Sequence, residues 1–155
     1  GQRLGRAHRF GRPVGDPPRA GDPDDLPGSR DQQRPAPADV QHLNAHATST
    51  PVGDRGEIEA IKSVFGLGAG LAVSGTKSAT GHLLGAAGGI EAIFTIQALR
   101  DQVVPPTLNL HHPDEDAEGL NLVALVARPQ KMRYALSNGF GFGGVNASLL
   151  LKRWE

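Results

Sequence analysis

The chain has 155 residues, with 16 Lys and Arg balanced by 16 Asp and Glu, and it has no cysteine. Zero net charge gives no reason to expect nucleic acid or an anionic membrane as a partner held by bulk charge. The missing Cys excludes disulfides, thiolate metal sites and a Cys nucleophile among these residues.

Residues 1–39 form a first region. Seven of the 12 prolines fall there (Pro13, Pro17, Pro18, Pro23, Pro27, Pro35 and Pro37), and Arg, Asp and Gly fill most of the rest. The large apolar residues are Leu4, Phe10, Val14 and Leu26, without a period of 2 or 3.6. Such a segment cannot bury enough surface to offset its ordering entropy, so disorder is expected. No apolar run reaches the roughly 18 residues of a membrane helix, and the N-terminus lacks a signal-peptide core. A soluble, cytoplasmic protein is the expectation.

From residue 40 to 155 the signals become regular. Val40–Ala45 reads as a short strand. Asp54 is placed as an N-cap with Glu57 as its capping-box partner. Ile58, Ile61 and Phe65 recur at helical spacing, which predicts a helix over 54–65 ended near Gly66. Leu71–Ser74 reads as a buried strand. Gly81 to about Gln102 reads as one long buried helix, apolar nearly all round. Its glycines Gly85, Gly88 and Gly89 each cost roughly 1 kcal/mol against Ala, which close helix packing would offset. Pro105 and Pro106 stop it. Leu120–Val126, Tyr134–Leu136 and Ser148–Lys152 read as three further strands. Strands interleaved with helices predict a layered α/β unit.

Three tempting motifs fail. Gly139 to Gly144 matches G-x-G-x-x-G, but only 11 residues follow, too few for the helix, second strand and distant acid of a dinucleotide site. Gly70 to Ser78 resembles a phosphate loop, yet Thr76 separates Gly75 from Lys77. His42 and His46 have zincin spacing, but on a strand residues four apart lie about 13 Å apart. No metal or cofactor is expected. His111 and His112 precede Pro113 in a loop and read as solvated. His46 and His82 each sit in a Ser/Thr/Gly-rich turn between regular elements, where functional groups tend to be placed, and Lys77 lies five residues before His82.

The surroundings of these two histidines carry a specific resemblance. Asn44-Ala45-His46-Ala47-Thr48-Ser49-Thr50-Pro51, followed by Gly53-Asp54 and Glu57, resembles the first histidine motif of the elongating β-ketoacyl-acyl-carrier-protein synthases. Lys77-Ser78-Ala79-Thr80-Gly81-His82-Leu83-Leu84-Gly85-Ala86-Ala87-Gly88 resembles the second. Pro105 to Asn109 with Pro113-Asp114, and Ser137 to Asn146 (the gating loop), are similar to later family segments in the same order and spacing. The resemblance runs from about Pro37 to Glu155 and is closest to the bacterial synthase II type.

That resemblance implies a thiolase-like α/β fold, of which this chain would supply the C-terminal half, a mixed sheet covered by helices in a homodimer. It implies a Cys-His-His triad in which His46 and His82 are the histidines, with the Cys on an N-terminal half that this chain lacks. An acyl chain passes to the Cys, malonyl-acyl-carrier protein loses carbon dioxide, and the enolate oxygen is stabilised by two imidazole N–H groups, each worth about 3–4 kcal/mol. The enolate carbon then attacks the acyl-Cys carbonyl. The backbone N–H of Phe142, with that of the Cys, is the implied hole for the second oxyanion. Lys77 is implied to organise the histidines, paired with Glu91. Thr48 and Thr50 are implied to face the pantetheine arm of acyl carrier protein, and Phe140 and Phe142 to contact substrate at the gate. Alone, the chain is expected not to elongate acyl groups. The alternative is a non-catalytic partner subunit of the chain-length-factor kind. Ala47 stands where many family members carry Gly. Residues 1–36 do not resemble the family, and their composition suggests an out-of-frame reading of GC-rich DNA, with the frame resuming near Pro35–Asp39.

Overall fold

The computed structural model describes residues 35–154. The expectation of disorder or of an out-of-frame segment over 1–39 lies, up to Arg34, outside the described residues. From Pro35 the chain belongs to one compact unit, and Pro37–Asp39 already form a 3-10 turn. Regular structure therefore begins slightly before Val40. Asp39 closes this turn by accepting the Ala36 N–H on its carboxylate at 2.8 Å.

The first strand, β1, is Val40–Asn44. Helix α1 spans Pro51–Phe65, starting three residues before the predicted Asp54 N-cap. Proline at its first position costs no hydrogen bond there, and Gly66 at φ +73° ends it. Because Thr50 is the N-cap, Glu57 sits in the second turn and cannot serve a capping box. It turns inward instead. β2 is Gly68–Ser74.

The long helix predicted over Gly81 to about Gln102 forms only from Ala87. α3 is Ala87–Asp101, and the single turn α2, Lys77–Thr80, lies ahead of the predicted start, separated from α3 by a break. Gly81 takes φ +75° and ψ 175°, a conformation that residues bearing a Cβ avoid, and so ends α2. A 3-10 turn at Leu84–Ala86 then re-enters the helical path. Uniform apolarity across this stretch hid the break.

The short β3 (Val103–Val104) pairs antiparallel with β5 (Arg128–Pro129). Of the predicted strand Leu120–Val126, only Leu120–Leu122 forms β4. β6 (Tyr134–Gly141) and β7 (Val145–Lys152) run longer than predicted, as one antiparallel hairpin. The main sheet has the order β4-β2-β1-β6-β7, its first four strands parallel and the last antiparallel. This is the expected mixed sheet.

Alternation along the strands splits the core into two faces. Leu43, Val73 and Leu136 pack with Ile61 on the α1 side. Ala72 and Ala135 pack with Ala98 and Leu99 on the α3 side. Fully burying an aliphatic side chain such as Leu43 contributes roughly 2 kcal/mol. β1 lies at the centre, so the turn that leaves its C-terminal end is held by neighbours on both sides.

Candidate active site

That turn carries His46. It descends from β1 with Ala47 at φ +35° and Ser49 at φ +62°, conformations in which a residue without a side chain would be relaxed. Glu57 of α1 pins it. One carboxylate oxygen accepts the His46 backbone N–H and the other accepts that of Ala47, both at 2.9 Å. Glu57 is itself buried, and a helix side chain that satisfies two strained-loop amides offsets much of the cost of burying its charge.

His82 reaches the same place from the break after α2. The two rings meet edge to face, 5.4 Å between centroids and 88° between planes. His82 Nδ1 accepts the Leu84 backbone N–H at 3.2 Å. A neutral ring that accepts at Nδ1 carries its proton on Nε2, so Nε2–H is free to donate. Phe140 of β6 lies 5.5 Å from the His46 ring.

Beneath the histidines, the Lys77 ammonium donates to Glu91 at 2.5 Å, with both side chains almost wholly buried. Burial, and after it the nearby Lys77 charge, holds the His46 imidazole below its ordinary pKa, while the Glu57 carboxylate opposes this. His46 is therefore neutral at pH 7 and offers an N–H without a transferable charge. Asn44 at the end of β1 ties the lysine turn down. Its side-chain oxygen accepts the Thr76 N–H at 3.3 Å, and its amide donates to Thr76 Oγ1 at 3.2 Å and to the Glu91 carbonyl at 3.4 Å.

The sequence-predicted residues thus fall into three groups. His46, His82, Lys77, Glu91 and Phe140 are brought together. Thr48 and Thr50 follow His46 in the chain, with exposed hydroxyls 3.0 Å apart. Phe142 is fully exposed at the tip of the β6–β7 hairpin, beside Gly143 and Gly144 at φ +84° and +81°. His42, inside β1, is buried with Nδ1 donating to the Ala72 carbonyl at 3.1 Å and makes no contact with the two site histidines. Glu57 and Asn44 belong to the first histidine motif, but the sequence reading gave neither a role in the site. The available signal was an acid beside Ile58 and Ile61 on an inward helix face, and an Asn inside a buried strand.

Residues 29–111 match the family described as Beta-ketoacyl synthase, C-terminal domain. The match begins ahead of Pro37, where the sequence resemblance was placed. The 3-oxoacyl-(acyl-carrier-protein) synthase 2 of Staphylococcus aureus (strain COL) is 53% identical over 120 residues, covering 77% of this chain and 29% of that protein. This chain thus spans less than a third of that relative's length. A beta-ketoacyl synthase from Burkholderia phymatum superposes with a TM-score of 0.73 at 38% identity, over 77% of this chain and 29% of that one. A type II polyketide ketosynthase, solved in complex with its acyl-carrier protein, superposes with the same TM-score at 32% identity, over the same shares of the two chains.

Proposed function

The chain belongs to the β-ketoacyl synthase family and carries the C-terminal half of its thiolase-like fold; on that premise we propose that it supplies the histidine half of a decarboxylating condensation site. The substrate would be a malonyl thioester carried on acyl carrier protein, and the intact assembly a 3-oxoacyl-acyl-carrier-protein synthase acting in fatty-acid elongation. The observation that carries this reading is the 5.4 Å approach of His46 to His82 from turns 36 residues apart.

The chemistry follows from that geometry. When the malonyl carboxylate leaves as carbon dioxide, the electron pair moves onto the thioester oxygen. An oxygen seated between the rings would accept an N–H from each imidazole. A neutral imidazole suits this task, since it stabilises the enolate without protonating it, and the depressed pKa of His46 favours that state. The buried Lys77–Glu91 pair fixes the floor of the site. Thr48 and Thr50, which follow His46 in the chain, would face the pantetheine arm. The chain has no cysteine, so the acyl acceptor of a full condensation has to come from outside these residues.

The test is carbon dioxide release from malonyl-acyl carrier protein by the purified chain, without acyl donor. Release above the background reaction, lowered on the order of 100-fold or more by His82→Ala, is the expected result. Release indifferent to that substitution would overturn the proposal and favour a non-catalytic partner subunit.

A further inference from the structure

Glu57 does more than pin the histidine turn. The carboxylate oxygen that accepts the His46 N–H also accepts the side-chain amide of Asn138 at 3.0 Å. Asn138 lies in β6, and its own side-chain oxygen accepts the Ser148 hydroxyl of β7 at 2.8 Å. Asn138 and Ser148 face each other in the hairpin register. Glu57 and Asn138 are both buried, so the bond between them is shielded from competing water, while Ser148 lies on the exposed strand β7. One continuous chain of hydrogen bonds therefore runs from the His46 turn, through α1, across both strands of the hairpin whose tip bears Phe142.

We propose that Glu57, Asn138 and Ser148 form a positioning relay that couples the conformation of the His46 turn to that of the β6–β7 hairpin. Any outward swing of the hairpin pulls on Asn138, withdraws a donor from Glu57 and loosens the amides of His46 and Ala47. The histidine donor and the hairpin tip then adopt their working positions together. The mechanical claim stands on the hydrogen bonds alone, while its catalytic meaning rests on the function proposed above.

Amide hydrogen exchange in the full chain reads this without any turnover, so its failure is distinct from failure of the decarboxylation assay. Asn138→Ala removes a bond to a charged acceptor, and exchange at the His46 and Ala47 amides should quicken about tenfold. The amides of Val73 and Leu43, in the same core, should change by less than about twofold. Ser148→Ala leaves the strand pairing and the Phe140–His46 contact in place, and should quicken the same two amides by a smaller factor. If Asn138→Ala destabilises the whole sheet, Ser148→Ala alone decides. Exchange at His46 and Ala47 unchanged in Ser148→Ala, or quickened equally across the sheet, overturns the relay.

Discussion

His42 shows how far one side chain can depart from its expected surroundings. Its position four residues before His46 invites a shared role, yet it lies inside β1 and is buried, while His46 sits in the turn beyond the strand's end. Burial lowers its pKa from 6.5 to about 4, against the opposing hydrogen bond to Ala72. The folded protein therefore binds this proton less readily than the unfolded chain does. The stabilisation is complete above pH 6.5 and is lost as the pH falls toward 4, about 3 kcal/mol across that window. Urea unfolding should show stability dropping over this range, and His42→Phe should flatten much of the drop. An unaltered slope in the variant would contradict the assignment. At this scale the histidines and Lys77 were legible because the motif residues are contiguous. Glu57 does not serve the expected capping box with Asp54, because helix starts are set by local backbone choice, here Thr50 and Pro51, rather than by the first cap-like acid.

Among the elements, the break between α2 and α3 matters most, because it aims His82 at His46. Gly81 holds a backbone conformation that a Cβ would strain by about 1–3 kcal/mol. Gly81→Ala should lower the unfolding free energy by that order in urea titration. Gly88→Ala should be neutral or slightly stabilising, since Gly88 is in α3 and a Cβ there meets nothing within 4 Å. Equal effects of the two substitutions would mean that the break is not specified by Gly81. The sequence showed the glycine but not the break, since Leu83 and Leu84 continue the apolar pattern across it. Strand β2 was legible from the apolar Leu71 to Val73, although it begins at Gly68, and β1 was legible despite its polar Gln41, His42 and Asn44. β4 is shorter than its apolar pattern suggests, because Val123 to Val126 are equally apolar, yet beyond Val123 the pairing is a single bridge between Ala124 and Thr107.

Across the whole molecule, the two helical faces differ in what they show to solvent. The outer side of α1 carries Arg55, Glu59 and Ser63, with Val52 and Val64 exposed near its ends, whereas α3 exposes Ile93 at 54% and Ile96 at 52% one turn apart. Two exposed isoleucines one turn apart on a helix favour association with another apolar surface. Sedimentation of the isolated chain should therefore show concentration-dependent association, relieved by replacing Ile93 and Ile96 with Lys. A strict monomer at high concentration would contradict this. Which partner covers the face was not legible from this chain, because helix amphipathicity reports burial and not the identity of the neighbour. The claim on which the functional account turns is that His46 and His82 serve one oxygen atom together. Its most direct test is the decarboxylation rate of malonyl-acyl carrier protein with His46→Ala, His82→Ala and the double variant, kcat and KM measured separately. Each single substitution should lower kcat about 100-fold or more with KM nearly unchanged, and the double variant should lose less than the product of the two. Losses that multiply independently, or that fall on KM alone, would show that the two rings do not share a transition state.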